Sequence, residues 1–434
     1  MNKGYYLIGL ILLFSCVDKI PKMGNNEFSE YYVVERAFFE VDSLLQIDNG
    51  KFWNHQLTGP LLLINPKTRV FIANRNNASG EFKKVNLVYT DTLPETVNIA
   101  NTAINWNDER WTMVMLPLPK DKIARNNLII HELFHLVQPA IGFDKIQEKN
   151  NGHLDTYKGR LLLKLELEAL RKAINADNEN LINLHLKNAL TFRNRRQSNS
   201  ETKIAENSLE LNEGLAEYTA IMLSGRNKEE LKLHLTNSID QFYKNPTFVR
   251  SFAYQTIPIY GYLLSRQKEN WQQEITGDSN LTEFFMKSFK IEPIENRSFE
   301  QIALENNYNY KEIVEKEAIR EKKRLAKISE YKKKFVEEPT LKLHFENMNI
   351  SFDPRNITPL ENFGTIYPNI RVTDNWGILT VEKGALLSSD WSHIWVTAPT
   401  KINDDIIEGE GWTLEINKDW EVIMVDEKYE LNKK

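Results

Sequence analysis

Asn126-Asn-Leu-Ile-Ile-His131-Glu132-Leu-Phe-His135-Leu-Val-Gln138 is the stretch from which the rest of the chain is best read. Asp121 offers an N-cap. Ile123, Leu128, Ile130, Phe134 and Val137 supply an apolar flank, and Pro139 stops the run, so the segment predicts a buried helix. On such a helix residues four apart stack on one face, which aims the His131 and His135 imidazoles at one point. Glu132 lies about 100° round the axis, placed to touch a water at that point rather than the point itself. Two imidazoles and an offset carboxylate suit a divalent ion that activates water. With eight histidines in 434 residues, HExxH arises by chance with a probability on the order of 1%, so the spacing is informative.

A second helix, expected over Ala205 to Leu223, carries Asn212-Glu213-Gly214-Leu215-Ala216-Glu217-Tyr218. Glu206, Glu210, Glu213 and Glu217 fall within about 60° of one another around its axis. Leu211, Leu215, Tyr218 and Met222 line the opposite side. A carboxylate ridge is ordinarily a solvated face. Gly214, however, is costly inside a helix and predicts a tight crossing beside Glu213. A carboxylate at such a crossing can complete a His2Glu site.

These two motifs together resemble the gluzincins, zinc peptidases with HExxH on one helix and a glutamate ligand on a later one. The resemblance covers about Trp111 to Arg266. It implies an α+β fold: a gluzincin-like peptidase domain with a small N-terminal helix-and-sheet lobe and a mainly helical second lobe. It implies one zinc ion held by His131, His135 and Glu213, with Glu132 as general base and Glu217 as the acid that orients a ligand histidine. In the segment Ser251-Phe-Ala-Tyr254-Gln-Thr-Ile-Pro-Ile-Tyr260-Gly-Tyr262-Leu-Leu264, Tyr254 matches the tyrosine that donates to the oxyanion, with Tyr260 as the alternative. The implied reaction is hydrolysis of a peptide or protein substrate by metal-activated water. Here 77 residues separate His135 from Glu213, a longer gap than in aminopeptidase-like and thermolysin-like members. No GxMEN-like segment precedes the motif.

Around this core the chain divides by pattern. Lys3 followed by the apolar run Tyr5 to Phe14 reads as a targeting segment over residues 1–15, too short to span a bilayer. Leu13-Phe14-Ser15-Cys16 resembles a bacterial lipobox, which implies acylation at Cys16 and a lipid-anchored place in the cell envelope. Cys16 is the only cysteine, so no internal disulfide forms. Residues 16–28 read as a tether, and 29–338 as the peptidase-like domain. In that domain a helix is expected over Ser29 to Leu45, and strands over Leu61–Ile64, Thr68–Ala73, Lys84–Tyr89 and Trp111–Leu116. The last of these is a candidate sheet edge for extended substrate.

Arg160 to Ile174 is a helix whose apolar arc includes Glu166 but not Glu168. A buried Glu166 needs a partner, with Arg193, Arg195, Arg196, a histidine and the metal shell as candidates. A charged run from Asn307 to Glu337 reads as one long exposed helix. Residues 340–434 turn to β, with strands at Ile370–Thr373, Gly377–Glu382, Ile394–Thr397 and Trp412–Ile416. They form a small accessory domain in which Trp376, Trp391, Trp395, Trp412 and Trp420 cluster.

A net charge of −5 and a pI near 6 give no electrostatic footprint for nucleic acid. Two other classes stay open at this point: a peptidase-like envelope binding or assembly lipoprotein without turnover, and a glycan-binding lipoprotein led by the C-terminal tryptophans.

Overall fold

The computed structural model describes residues 25–352, 357–360, 362–425 and 428–434, with side chains from residue 31 on. The targeting segment, Cys16 and most of the expected tether lie outside them. The chain is a mixed α+β protein with an N-terminal helix and sheet, a helical middle and a C-terminal β region. Among the described residues no helix is long and apolar enough to cross a membrane.

The first helix, α1 (Asn25–Asp48), starts earlier than expected and takes up the last four residues of the tether. A six-stranded sheet follows: β1 (Leu61–Ile64), β2 (Val70–Ala73), β3 (Lys83–Val85), β4 (Val88–Thr92), β5 (Thr102–Trp106) and β6 (Glu109–Met115), in the order β3-β4-β2-β1-β6-β5. Strand alternation divides its residues between two cores. Leu61, Leu63 and Val114 pack with α1 and the helices. Leu62, Ile64, Trp111 and Met113 face an aromatic cluster with Phe71 and Phe82.

Two expectations fail here. Lys84–Tyr89 is not one strand but a hairpin, with Asn86 at φ 54° between β3 and β4. The Trp111 strand, β6, is not an edge. It runs parallel to β1 on one side and antiparallel to β5 on the other, and β5 is the edge.

The metal-motif helix α2 (Lys122–Val137) lies against β5 and β6. Asp121 caps it by accepting from Ala124 N–H at 2.8 Å, and a 3-10 turn through Pro139 ends it at Gly142, φ 91°. The helical region continues with α3 (Tyr157–Asn175), α4 (Glu179–Arg196), α5 (Ser200–Leu209), α6 (Leu215–Leu223), α7 (Lys228–Phe242), α8 (Ala253–Ser265), α9 (Leu281–Phe289), α10 (Phe299–Glu305) and α11 (Tyr310–Lys332).

Between α5 and α6 the backbone makes a π-turn, Glu210–Gly214, in which Leu215 N–H bonds Glu210 O five residues back. The crossing predicted beside Glu213 is there. A Cβ on Gly214 would sit 2.6 Å from Ile257 Cγ1 and 3.2 Å from Ala253 O, so α8 packs directly on the turn.

The charged run forms the long, mostly exposed helix expected, but not every charge on it is solvated. Glu317 of α11 is buried, where it takes Arg160 Nε at 2.9 Å and Lys164 Nζ at 2.5 Å from α3. A second π-turn, Lys333–Glu337, ends α11, and Tyr331 and Phe335 pack against Leu360, Ile366 and Leu386 of the β region. That region contains a seven-stranded and a six-stranded sheet around a core of its own. Trp376, Trp412 and Trp420 belong to this core, whereas Trp391 is exposed.

Candidate metal centre

Helix α2 presents the histidines, and the π-turn presents the carboxylate. His131 Nε2 and His135 Nε2 lie 3.2 Å apart, and Glu213 Oε2 lies 3.3 Å from the first and 3.5 Å from the second. All three ligand atoms fall within 4.8 Å of one another. A tetrahedral ion with bonds of about 2.0–2.1 Å needs donors spaced by about 3.3 Å, the edge of its tetrahedron. The donor set and spacing therefore fit a zinc-sized ion.

The opposite ring nitrogens are held so that both Nε2 atoms point inward. His131 Nδ1 donates to Glu217 Oε2 at 3.0 Å, and His135 Nδ1 donates to Gln138 Oε1 at 2.6 Å. Glu217 is fixed in turn by Asn127 at 3.1 Å, and Asn127 by Arg226 at 2.8 Å. Gln138 donates on to the Asn212 carbonyl at 3.0 Å, which ties the α2 end to the π-turn. Such partners fix a ligand's tautomer and ring orientation. Removing Glu217 by Glu217→Ala is therefore expected to weaken zinc binding about 10–100-fold with the fold kept. Competition titration against a chromophoric chelator measures it, and an unchanged affinity would rule out the orienting role.

Electrostatics mark the same spot. Burial would depress the His131 pKa, but its bonds to Glu213 and Glu217 win and push it up to about 10. An ion bound at Nε2 would take the place of one of the two ring protons. The Glu132 carboxyl is pushed above its ordinary value by burial, against the pull of both histidines. Its Oε2 is buried with no hydrogen-bond partner among the described residues, as suits a group whose partner would be a water or substrate.

Tyr254 stacks on the His131 ring, with centroids 5.4 Å apart and planes 5° from parallel, and its hydroxyl donates to Glu213 Oε2 at 2.5 Å. Tyr260, the alternative, is fully buried and donates to Glu166 at 2.9 Å, so it belongs to the packing beneath the site.

The carboxylate ridge is not solvated. Its four members divide into pairs: Glu213 and Glu217 turn to the histidines, while Glu206 and Glu210 are fully buried against α4. Arg196 takes Glu206 through Nε and Nη2, both at 2.8 Å, and Glu166 through Nη1 at 2.5 Å. Arg193 takes Glu210 through both terminal nitrogens, one at 2.9 Å, and reaches Glu166 at 3.3 Å. The partner required for Glu166 is thus an arginine pair, while Arg195 binds backbone carbonyls elsewhere. Glu168 is buried despite lying off the apolar arc, and it accepts from the Tyr243 hydroxyl at 2.9 Å.

Sequence reasoning missed Gln138 and Arg250. Gln138 stands three residues past His135, a spacing that puts it beside the ring, and that signal was available. Arg250 pairs with Glu148 at 2.5 Å and approaches Glu213 at 3.4 Å from a turn that no periodicity marks. No protein-family model, no curated protein and no solved structure matches this chain.

Proposed function

We propose that this protein is a zinc-dependent metallopeptidase of the gluzincin type, tethered to the bacterial envelope through a lipid on Cys16. The single observation that carries the hydrolytic reading is the convergence of His131, His135 and Glu213 at tetrahedral spacing beside an orphaned buried carboxylate, Glu132. The tether rests on the lipobox-like sequence alone.

When bound by those three residues, zinc would act as a Lewis acid that lowers the pKa of a water and polarises the substrate carbonyl. Glu132 takes the proton of the attacking water and hands it to the leaving amine, a role suited to a carboxyl whose pKa burial has raised toward neutrality. Tyr254 places a hydroxyl donor at the site for the oxyanion that develops at the carbonyl. Glu217 and Gln138 keep both imidazoles in the tautomer that offers Nε2.

Purified protein is expected to contain about one zinc per chain and to cleave casein or a peptide library. Dialysis against 1,10-phenanthroline should abolish cleavage, and stoichiometric zinc should restore it. A protein that carries zinc but cleaves nothing would favour the binding-protein reading, whereas absence of zinc would overturn both.

A further inference from the structure

A groove runs away from the metal centre between α7 and α8. Its outer part, about 560 Å³, is bounded by Asn237, Ser238 and Gln241 of α7. Its inner part, about 370 Å³, ends at Arg250 and Tyr254. The two parts share Phe242, Asn245 and Gln255 and so make one channel that opens where Tyr254 bonds Glu213. Asn237, Asn245 and Gln255 offer amides to the donors and acceptors of an extended backbone, while Leu233 and Phe242 give the groove an apolar face for its side chains. Gln255 Oε1 is buried and has no hydrogen-bond partner among the described residues, as suits an acceptor waiting for an N–H from outside.

Charge is distributed unevenly along this channel. The one acid among its lining residues, Glu230, stands at the outer end, and the guanidinium of Arg250 stands at the metal end. Arg250 is 61% exposed along its side chain. Glu148 engages Nη1 at 2.5 Å, whereas both contacts of Nη2, to Glu148 and to Glu213, are long at 3.4 Å. Once Glu213 serves an ion, Nη2 keeps only its long contact to Glu148 and has an N–H to offer a second carboxylate, since a guanidinium can serve two at once.

We propose that the α7–α8 groove is a substrate subsite that takes an extended peptide, with Arg250 selecting a carboxylate side chain next to the scissile bond. The proposal rests on the hydrolytic reading above and names its substrate class: peptides with an acidic side chain beside the scissile bond.

The test uses zinc-loaded full-length Glu132→Gln protein, which binds without turnover, and fluorescein-labelled Gly/Ser/Asn octapeptides. Each carries one Asp, or the matching Asn, at successive positions. Anisotropy titrations should show the Asp peptide binding about tenfold or more tighter than its Asn twin at one position. Arg250→Glu should invert that preference in favour of a Lys peptide. Asn245→Asp, inside the groove and away from the metal, should weaken the Asp peptide in the same way, so the result does not hang on Arg250→Glu folding well. Equal affinities for the twins, or a preference that survives both substitutions, would overturn the proposal. Wild-type cleavage without any charge preference sinks the subsite alone. A charge preference in a protein that cleaves nothing supports the subsite and removes the peptidase.

Discussion

Glu132→Gln should lower kcat on casein or a library peptide by a factor of about 10³, within the 10²–10⁴ range that a positioned general base supplies. It should do so without loss of zinc. Glutamine has the shape and volume of glutamate and can lie in the same slot, so packing is preserved. What changes is proton affinity: an amide oxygen cannot accept the proton of the attacking water, and the amide N–H2 points donors where an acceptor is needed. The residue belongs to α2 but not to the three converging donors, so the metal count should stay at about one per chain. Folding should not suffer, because burial opposes the charge of Glu132 and its Oε2 has no partner to lose. Initial rates and metal analysis on the same samples separate the cases. Full turnover with full zinc would remove Glu132 from the chemistry, whereas lost zinc would make it a ligand or a structural residue.

How much of this was legible beforehand differs from element to element for physical reasons. The α2 helix was readable because cap, apolar flank and proline stop all agree locally, and HExxH needs only the 3.6-residue repeat to face both imidazoles one way. Glu213 was readable because Gly214 marks a crossing that a side chain would block. The partition of the carboxylate row was not readable. Glu206 and Glu210 repeat the spacing of Glu213 and Glu217, and only the packing of α4 decides that one pair meets arginines and the other histidines. The π-turn also defeats wheel arithmetic, since a turn closed over five residues shifts the phase of everything after it. Edge strand β5 was hidden because Thr102–Trp106 is half-buried along most of its length and shows no clean alternation. Glu317 looked solvated because its own helix is charged, and its partners Arg160 and Lys164 lie more than 150 residues away.

Arg193→Met should cost about 3–5 kcal/mol of stability, because it leaves the fully buried Glu210 carboxylate without a guanidinium and takes one of two from Glu166. Methionine roughly fills the space of the arginine stem, so the loss reports the stranded charge of Glu210 and the weakened pairing of Glu166, which keeps Arg196, rather than a cavity. Glu210 opens the π-turn, and Thr256 of α8 donates to it at 2.6 Å; the turn that presents Glu213 is therefore pinned from beneath by Arg193. Zinc affinity should fall along with stability, and Arg193→Met/Glu210→Leu should recover part of the stability by removing a stranded charge.

Acid should act through the neighbouring pair. Burial would raise the Glu206 carboxyl, but Arg196 and His153 hold it well below the ordinary 4.5. The unfolded chain therefore binds the proton first. This part of the stability is present above 4.5 and drains as pH falls below it. In Glu206→Gln that carboxyl is gone, so the urea midpoint should start lower near neutrality and decline less steeply on acidification than in the wild type. Parallel acid profiles for the two proteins would show that Glu206 carries no coupled proton, and the buried arginine–carboxylate network would then not be what anchors the turn that presents Glu213.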